Sequence, residues 1–343
     1  MSRARVMDKA AEAAAAPADL GARIAALASR FSLEVSSRSA RDLDACLTHL
    51  EKGADVYINF IAGDDPGAKV RCAAALKASG FRPVPHIGAR HLRSAAQLDD
   101  LLARLAGDAG VDRALLIGGD AAAPAGPFDS SLALLASGLP AKHGFRAAGF
   151  AGYPEGHPHI AEPTLRRALA DKLALAAAQG IEPFIVTQFC FEPAAVMAWL
   201  AALRRDGVTV PVRIGLAGPA NVATLVRFAM RCGVTNSIRT LTAHADRFLR
   251  LVGDSAPDSL VRGIAEAAAM AAAMAGAEAA GSEAAAGSEA AAAEGARADP
   301  APLAGVAGLH FFPFGGVAKT ARWANALRRG RFRFAGTGLD VDV

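Results

Sequence analysis

The chain has 343 residues and a formal net charge of +4, and many of its apolar residues are alanine. This length suits one large α/β domain or two small ones. The basic residues are scattered, which argues against a nucleic-acid partner. No segment is long and apolar enough to span a bilayer, and the alanine-rich N-terminus lacks the apolar run of a signal peptide.

The positions of the cysteines limit the disulfide and metal chemistry that the chain can have. The four cysteines lie far apart in the sequence, at Cys46, Cys72, Cys190 and Cys232. Such spacing argues against a disulfide framework or a zinc site and is typical of a reducing compartment. We therefore expect a cytoplasmic protein with no membrane or nucleic-acid partner. Assembly into a homo-oligomer stays open.

Short apolar runs predict eight strands, each followed by a stretch with helical periodicity. The predicted strands are Phe31–Val35, Asp55–Phe60, Arg82–Ile87, Ala114–Ile117, Arg146–Ala151, Phe184–Phe191, Val212–Leu216 and Leu309–Phe312. The predicted helices include Ala40–Lys52, Ala68–Ser79, Leu98–Leu105, Thr164–Gln179, Pro193–Arg205, Asn221–Cys232 and Gly316–Arg328. Eight alternating units indicate an α/β protein with a (β/α)8 TIM barrel. A doubly wound sheet is disfavoured because no glycine fingerprint follows the first strand.

We assign residues 30–335 to a single barrel domain, after an alanine-rich helical extension at 1–29 and before a tail at 336–343. Residues 266–302 interrupt the pattern with an Ala/Glu/Gly/Ser repeat that has no apolar face to bury. Alanine and glutamate favour a helix over Ser259–Met274. We expect the remainder of this insert to be a flexible loop before the last strand.

Polar residues at strand ends are the candidate site, because all carboxyl ends of a parallel barrel meet at one face. Glu34 ends the first strand, where a carboxyl group is either a proton donor with a raised pKa or a solvated acid. His86 ends the third strand, although a lone histidine is more often structural. Gly118, Gly119 and Asp120 end the fourth, where glycines allow close approach of a planar ligand, but this motif is common.

Two further strand ends carry ring-binding groups. Tyr153 and His157 follow the fifth strand on a turn fixed by prolines, and Gln188 interrupts the apolar sixth strand with an amide that can read a heterocycle. The amide is alternatively a core group bonded to backbone. His157 and His159 have no acidic or cysteine cluster beside them, so we expect no metal site. The basic segment 328–333 is either a phosphate contact or a solvated face.

These segments resemble the methylenetetrahydrofolate reductase family of flavoprotein TIM barrels. The resemblance covers the chain from about Phe31 to Leu327. Its strongest parts are Tyr153-Pro154-Glu155-Gly156-His157-Pro158, close to Tyr-Pro-x-x-His-Pro, and Thr187-Gln188-Phe189-Cys190-Phe191-Glu192, close to Thr-Gln-x-x-Phe-Asp/Glu. Weaker support comes from Pro85-His86, Gly119-Asp120, Ile214-Gly215-Leu216 and His310-Phe311-Phe312.

The resemblance implies bound FAD, reduced by NADH or NADPH, and hydride transfer to 5,10-methylenetetrahydrofolate to give 5-methyltetrahydrofolate for methionine synthesis. Glu34 matches the catalytic acid that protonates the folate, and Asp120 matches a catalytic carboxylate near the flavin and pterin. The implied cofactor-binding residues are Asn59, His86, Gly118, Gly119, Asp120, Tyr153, His157 and Lys172. The implied substrate-binding residues are Gln188, Phe228, Thr224 and Phe312.

The chain departs from the family pattern in several of these places. Gly118 stands where an arginine is common, Asn59 replaces a threonine, Thr224 an amide and Phe312 a tyrosine. Arg166, Leu169 and Lys172 occupy helix positions where acidic, amide and basic residues often hold the ADP half of the cofactor. We therefore predict a divergent member that holds the adenine end of FAD loosely.

Three alternatives stay open. A related enzyme would oxidise 5-methyltetrahydrofolate in a demethylation pathway, or would work without tightly bound FAD. A non-enzymatic barrel would bind folate or a partner protein, although such a protein has no need of the acid at Glu34. An unrelated phosphate-binding barrel such as an aldolase would need a lysine at a strand end, and none of the predicted strands ends in lysine.

Overall fold

Eight parallel strands close into a barrel in which neighbours along the chain are neighbours in space, and the first strand pairs with the last. This computed structural model describes residues 17–231, 256–285, 303 and 305–343. The barrel strands are β1 (Ser32–Val35), β2 (Asp55–Ile58), β3 (Arg82–Gly88), β4 (Arg113–Ile117), β5 (Ala147–Gly152), β6 (Glu182–Thr187), β7 (Val212–Ala217) and β8 (Val306–Phe312). The predicted (β/α)8 class is confirmed, with strand bounds that differ by a few residues.

Helices cover the outside of the barrel. They are α1 (Pro17–Ala28), α2 (Ala40–His49), α3 (Pro66–Ala78), α4 (Ala95–Gly107), α5 (Ser131–Ala136), α6 (Leu139–Lys142), α7 (Glu162–Ala178), α8 (Pro193–Arg205), α9 (Val222–Arg231), α10 (Asp258–Ala285) and α11 (Val317–Arg328). A short 3₁₀ helix, Ala89–His91, follows β3. The helices α5 and α6 were not predicted, because their short apolar runs contain too few turns to reveal a period.

Local sequence explains where several helices begin. The Ser39 hydroxyl accepts from the Asp42 amide at the start of α2, and the Ser94 hydroxyl accepts from the Gln97 amide at the start of α4. Asp65 accepts from two backbone amides of α3, and Pro66 follows it at the first helical position. Such caps satisfy amide groups that have no partner within the helix.

The C-terminal part differs from the sequence prediction. Helix α10 runs through Ala285, past Met274 where the flexible loop was expected to begin, so that expectation was wrong for residues 275–285. Residues 286–302 of the insert lie outside the described residues. The predicted tail instead contains part of a hairpin, β9 (Phe332–Ala335) with β10 (Gly338–Val341). In the described part of the chain, no helix is long and apolar enough to cross a membrane.

Strand alternation decides which side chains reach the barrel interior. On β1, Leu33 and Val35 pack in the large core between strands and helices, so Ser32 and Glu34 face inward. A separate interior cluster is formed by Tyr57, Val84, Leu115 and Val186. Inward positions near the carboxyl ends of the strands therefore lie above this cluster, which fills the barrel beneath the candidate site.

Candidate active site at the carboxyl end of the barrel

Glu34 lies between two histidines at the mouth of the barrel. Its Oε1 atom is 3.5 Å from His86 Nε2 on β3 and 3.5 Å from His310 Nε2 on β8. All three side chains are buried, and neither Nε2 atom has a hydrogen-bond partner among the described residues. The two separations are therefore close contacts rather than formed hydrogen bonds. The structure brings Glu34 and His86 together as the strand-end reading predicts.

The protonation states in this cluster follow from burial. Burial raises the pKa of Glu34 above its usual range, partly opposed by His86 and Lys69. Burial lowers the pKa of His86 to about 4 and the pKa of His310 to about 3. At neutral pH both imidazoles are uncharged, so the contacts are not ion pairs. Glu34 is a carboxyl group in a site that favours its protonated form, as a general acid requires.

Lys69, a buried residue of helix α3, contacts the ends of two strands beside Glu34. Its Nζ atom donates to the carbonyl oxygens of His86, at 2.8 Å, and Asn59, at 3.2 Å. Burial lowers the pKa of Lys69 to about 8, and the ammonium lies 5.1 Å from the centre of the Phe60 ring. These bonds fix the ends of β2 and β3. Lys69 was not predicted as a site residue, because a lysine on a helix is usually solvated.

Asp120 is held by a histidine from a neighbouring loop. His91 Nε2 contacts Asp120 Oδ1 at 2.7 Å, and the Asp120 side chain is exposed to solvent. Gly119 has φ +91°, and a Cβ atom there would lie 3.0 Å from the His91 ring, so glycine is required between β4 and Asp120. Gly118 has open space around its Cα atom. His91 was not predicted, and nothing in the sequence pattern singled it out.

The predicted turn after β5 presents Tyr153 and His157 together, with their rings in an edge-to-face contact at 5.0 Å. Burial raises the pKa of Tyr153, whereas burial, His159 and Arg90 lower the pKa of His157. Glu155, between them, accepts from the Phe191 amide at 2.6 Å and the Glu192 amide at 3.0 Å. The turn is therefore tied to the start of α8, where a carboxylate is favourable.

Gln188 follows β6 with its backbone fixed at both ends. The backbone N–H of Gln188 donates to the Gly152 carbonyl at 2.8 Å, and the backbone carbonyl of Gln188 accepts from the Thr187 hydroxyl at 2.9 Å. Because Val186 faces the barrel interior, alternation puts the half-buried Gln188 on the same side. The Gln188 side chain thus belongs to the mouth of the barrel, near the ends of β5 and β7.

Aromatic rings line the other side of the mouth. Phe228 on α9 stacks on Phe314 with ring centres 4.1 Å apart, and Phe314 in turn lies 5.0 Å from Phe189. Phe312 joins them at 5.4 Å from Phe189. Two predicted substrate residues, Phe228 and Phe312, thus share one apolar cluster. Phe314 was not predicted. Thr224 is half-buried near the start of α9, where its amide donates to Asn221.

Two further residues singled out in the sequence, Lys172 and Arg166, lie on helix α7 and have contacts of their own. The Lys172 ammonium lies 5.5 Å from the centre of the Phe150 ring, and burial lowers its pKa to about 8. Arg166 forms two short contacts with Asp206, at 2.6 and 2.7 Å. The cofactor contact expected of Lys172 stays a prediction.

The basic segment 328–333 lies at the opposite end of the barrel, because helix α11 runs antiparallel to β8. There Arg328 binds Glu51 at 2.5 Å. The segment borders an open cavity of about 430 Å³ lined by Gly21, Ala22, Ala25, Arg328, Arg329, Gly330, Phe332 and Phe334. It therefore lies away from the mouth, and its contact with a phosphate stays a prediction.

The buried polar atoms at the mouth can be compared with what a flavin needs. Asn59 Oδ1, His86 Nε2 and His310 Nε2 are buried polar atoms without a hydrogen-bond partner in the described residues. Such atoms cost free energy unless a ligand or water satisfies them. Asn59 Oδ1 and His86 Nε2 are thus of the kind that the polar edge of a flavin ring would satisfy. Within the described ranges, no group of three or more His, Cys, Asp or Glu could hold a metal ion. No protein-family model matches the chain.

Proposed function

We propose that this protein is a flavin-dependent reductase that converts 5,10-methylenetetrahydrofolate to 5-methyltetrahydrofolate with NADH or NADPH. The observation that carries the proposal is the buried carboxyl group of Glu34 between the uncharged imidazoles of His86 and His310. The strand-end residues Asp120, Tyr153 and Gln188 match the same family in order along the chain. The resemblance to the reductase family suggests the reaction, and the geometry of the Glu34 site is compatible with that reaction.

The cofactor would lie against the ends of β2 to β5. Asn59 and His86 would face its polar edge, and the Tyr153–His157 pair would border it on the β5 side. Bound FAD would carry the hydride between the nicotinamide and the folate. The chain's part is to orient the rings, exclude water and provide a proton.

Glu34 would provide that proton. Its carboxyl group is protonated more readily than a solvated one, and it would give the proton to a nitrogen of the folate as the methylene bridge opens. Gln188 would read the pterin edge through its amide, which both donates and accepts. The aromatic cluster of Phe228, Phe312 and Phe314 would pack on the flat parts of the substrate. The same groups would serve the reverse reaction, so the physiological direction has to be determined by kinetics with both folates.

A spectroscopic titration tests the proposal. The purified protein is mixed with FAD, freed of excess by filtration and examined for flavin absorbance. Anaerobic NADH or NADPH should bleach the flavin, and 5,10-methylenetetrahydrofolate should restore the oxidised spectrum with formation of 5-methyltetrahydrofolate. Failure to bind FAD at micromolar concentration would contradict the proposal, as would a reduced flavin that the folate does not reoxidise.

A further inference from the structure

The closure of the barrel creates a contact between Ser32 and His310. Strands β1 and β8 pair with Ser32 directly opposite His310, and both side chains are buried. The Ser32 hydroxyl lies 2.9 Å from His310 Nδ1, within hydrogen-bond distance. The other ring nitrogen, Nε2, is 3.5 Å from Glu34 Oε1. One hydrogen bond at Nδ1 therefore holds the imidazole with Nε2 directed at the carboxyl group.

The choice of tautomer at His310 affects Glu34. A neutral imidazole has one N–H group, and the hydrogen bond at one nitrogen decides which nitrogen carries it. If the Ser32 hydroxyl donates to Nδ1, the hydrogen is on Nε2 and faces the carboxyl group. An N–H directed at a carboxylate stabilises the charged form, whereas a lone pair directed at it does the opposite.

Other groups act on the same carboxyl group and on the ring. Glu34 is also faced by His86 on β3 and by Lys69 on α3. His310 is influenced by Arg213 on β7 and Asp55 on β2, which contact each other at 2.6 Å. The Tyr57 ring on β2 packs edge-on against His310, with centres 4.5 Å apart. Among these groups, His310 is the one that contacts the hydroxyl group of Ser32, which lies on the same strand as Glu34.

We propose that Ser32 and His310 are a positioning pair that directs an N–H group at Glu34 and so stabilises its carboxylate after the proton has left. The proton balance is simple: Glu34 loses its proton to the bound ligand, and His310 keeps its own proton throughout. The pair would keep the buried acid able to release and regain a proton. The inference rests on the proposed role of Glu34, but its test needs neither flavin nor folate.

The test measures the midpoint of Glu34 titration in the ligand-free protein. Infrared difference spectra between acid and neutral pH report the protonated carboxyl band, and Glu34→Gln identifies the part due to Glu34. His310→Leu, which removes the N–H donor, should shift the midpoint upward. Ser32→Ala should shift it upward by less. His310→Gln, which retains an N–H donor, and Ser32→Thr, which retains the hydroxyl, should lie close to the unsubstituted protein.

An unchanged midpoint in folded His310→Leu, or a downward shift, would overturn the proposal. If His310→Leu does not fold, Ser32→Ala decides alone, because it removes only one hydroxyl group: an upward shift supports the pair, and no shift overturns it. If the upward shifts are observed but the protein binds no flavin, the proposed role of the Ser32–His310 pair stands and the reductase assignment is wrong. In an active reductase, the pH profile of flavin reoxidation by folate should move with the midpoint, and that of flavin reduction by NAD(P)H should not.

Discussion

His91, on the 3₁₀ helix after β3, holds the carboxylate of Asp120 at the end of β4 with a contact of 2.7 Å. Backbone bonds join the same two loops, because the Arg90 amide donates to the Gly118 carbonyl and the Ala125 amide donates to the Arg90 carbonyl. Asp120 is thus positioned by the preceding βα loop rather than by its own. This contact gives the exposed Asp120 carboxylate a defined position.

His91→Leu should therefore weaken the folate step through Asp120. The pair is partly exposed, so we expect only a roughly twofold to fivefold rise in KM for 5,10-methylenetetrahydrofolate. The measurement is a double-mutant cycle with Asp120→Asn. In the Asp120→Asn background, His91→Leu should add almost nothing. Equal effects of His91→Leu in both backgrounds would show that His91 acts independently of Asp120.

Introducing an arginine at position 118 should tighten flavin binding. The unsubstituted protein should lose part of its FAD on dilute gel filtration and regain it on addition, with FMN competing well. Gly118 has space for a side chain, so Gly118→Arg should fold normally. One charge-assisted hydrogen bond to the cofactor would improve FAD affinity by about tenfold or more.

Gly107→Arg, at the end of α4 and also in open space, is the matched control and should leave the Kd unchanged. Isothermal titration with FAD and FMN measures both variants. Stoichiometric FAD that survives gel filtration in the unsubstituted protein, with no gain in Gly118→Arg, would show that other residues hold the adenine end.

The two buried histidines should make stability depend on acid pH. Their folded pKa values, about 4 for His86 and about 3 for His310, lie below the ordinary 6.5. The unfolded chain therefore binds more protons between about pH 6.5 and 4, and stability falls as the pH falls through that window. Glu34 has the opposite sign, because its raised pKa means that stability falls as the pH rises above its ordinary value.

Urea unfolding at several pH values between 4 and 7 measures this dependence. The free energy of unfolding of His310→Gln should change less with pH than that of the unsubstituted protein. The difference in slope should correspond to at most about one bound proton across this window. The comparison of slopes separates this effect from any general loss of stability. Identical slopes would mean that His310 is not buried as an uncharged ring.

Gly315→Ala should destabilise the mouth of the barrel. A Cβ atom there would overlap the carbonyl oxygen of Pro219, so the loops after β7 and β8 would have to separate. We expect a loss of about 2 kcal/mol or more in the free energy of unfolding. Gly107→Ala, in open space, is the control and should be neutral or slightly stabilising. Similar unfolding free energies for the two variants would contradict this packing.

The sequence could predict the barrel because strand and helix periods alternate clearly, and because polar residues mark the strand ends. Glu34 and His86 meet as that pattern suggests, since β1, β2 and β3 are neighbours. The Ser32–His310 contact could not be predicted, because it depends on how the first and last strands align when the barrel closes. Lys69 and His91 could not be predicted for a similar reason: their roles come from tertiary contacts that local patterns do not encode.

The central claim is that Glu34 is the acid of the folate step, and Glu34→Gln tests it most directly. Stopped-flow absorbance measures flavin reduction by NAD(P)H and flavin reoxidation by 5,10-methylenetetrahydrofolate separately. Glu182→Gln, an exposed glutamate at the other end of the barrel, is the control and should behave normally in both steps. For Glu34→Gln we expect flavin reduction within severalfold of normal and reoxidation slower by about 10²-fold or more. Equal losses in both steps, or unchanged reoxidation, would contradict the assignment of Glu34 as the proton donor.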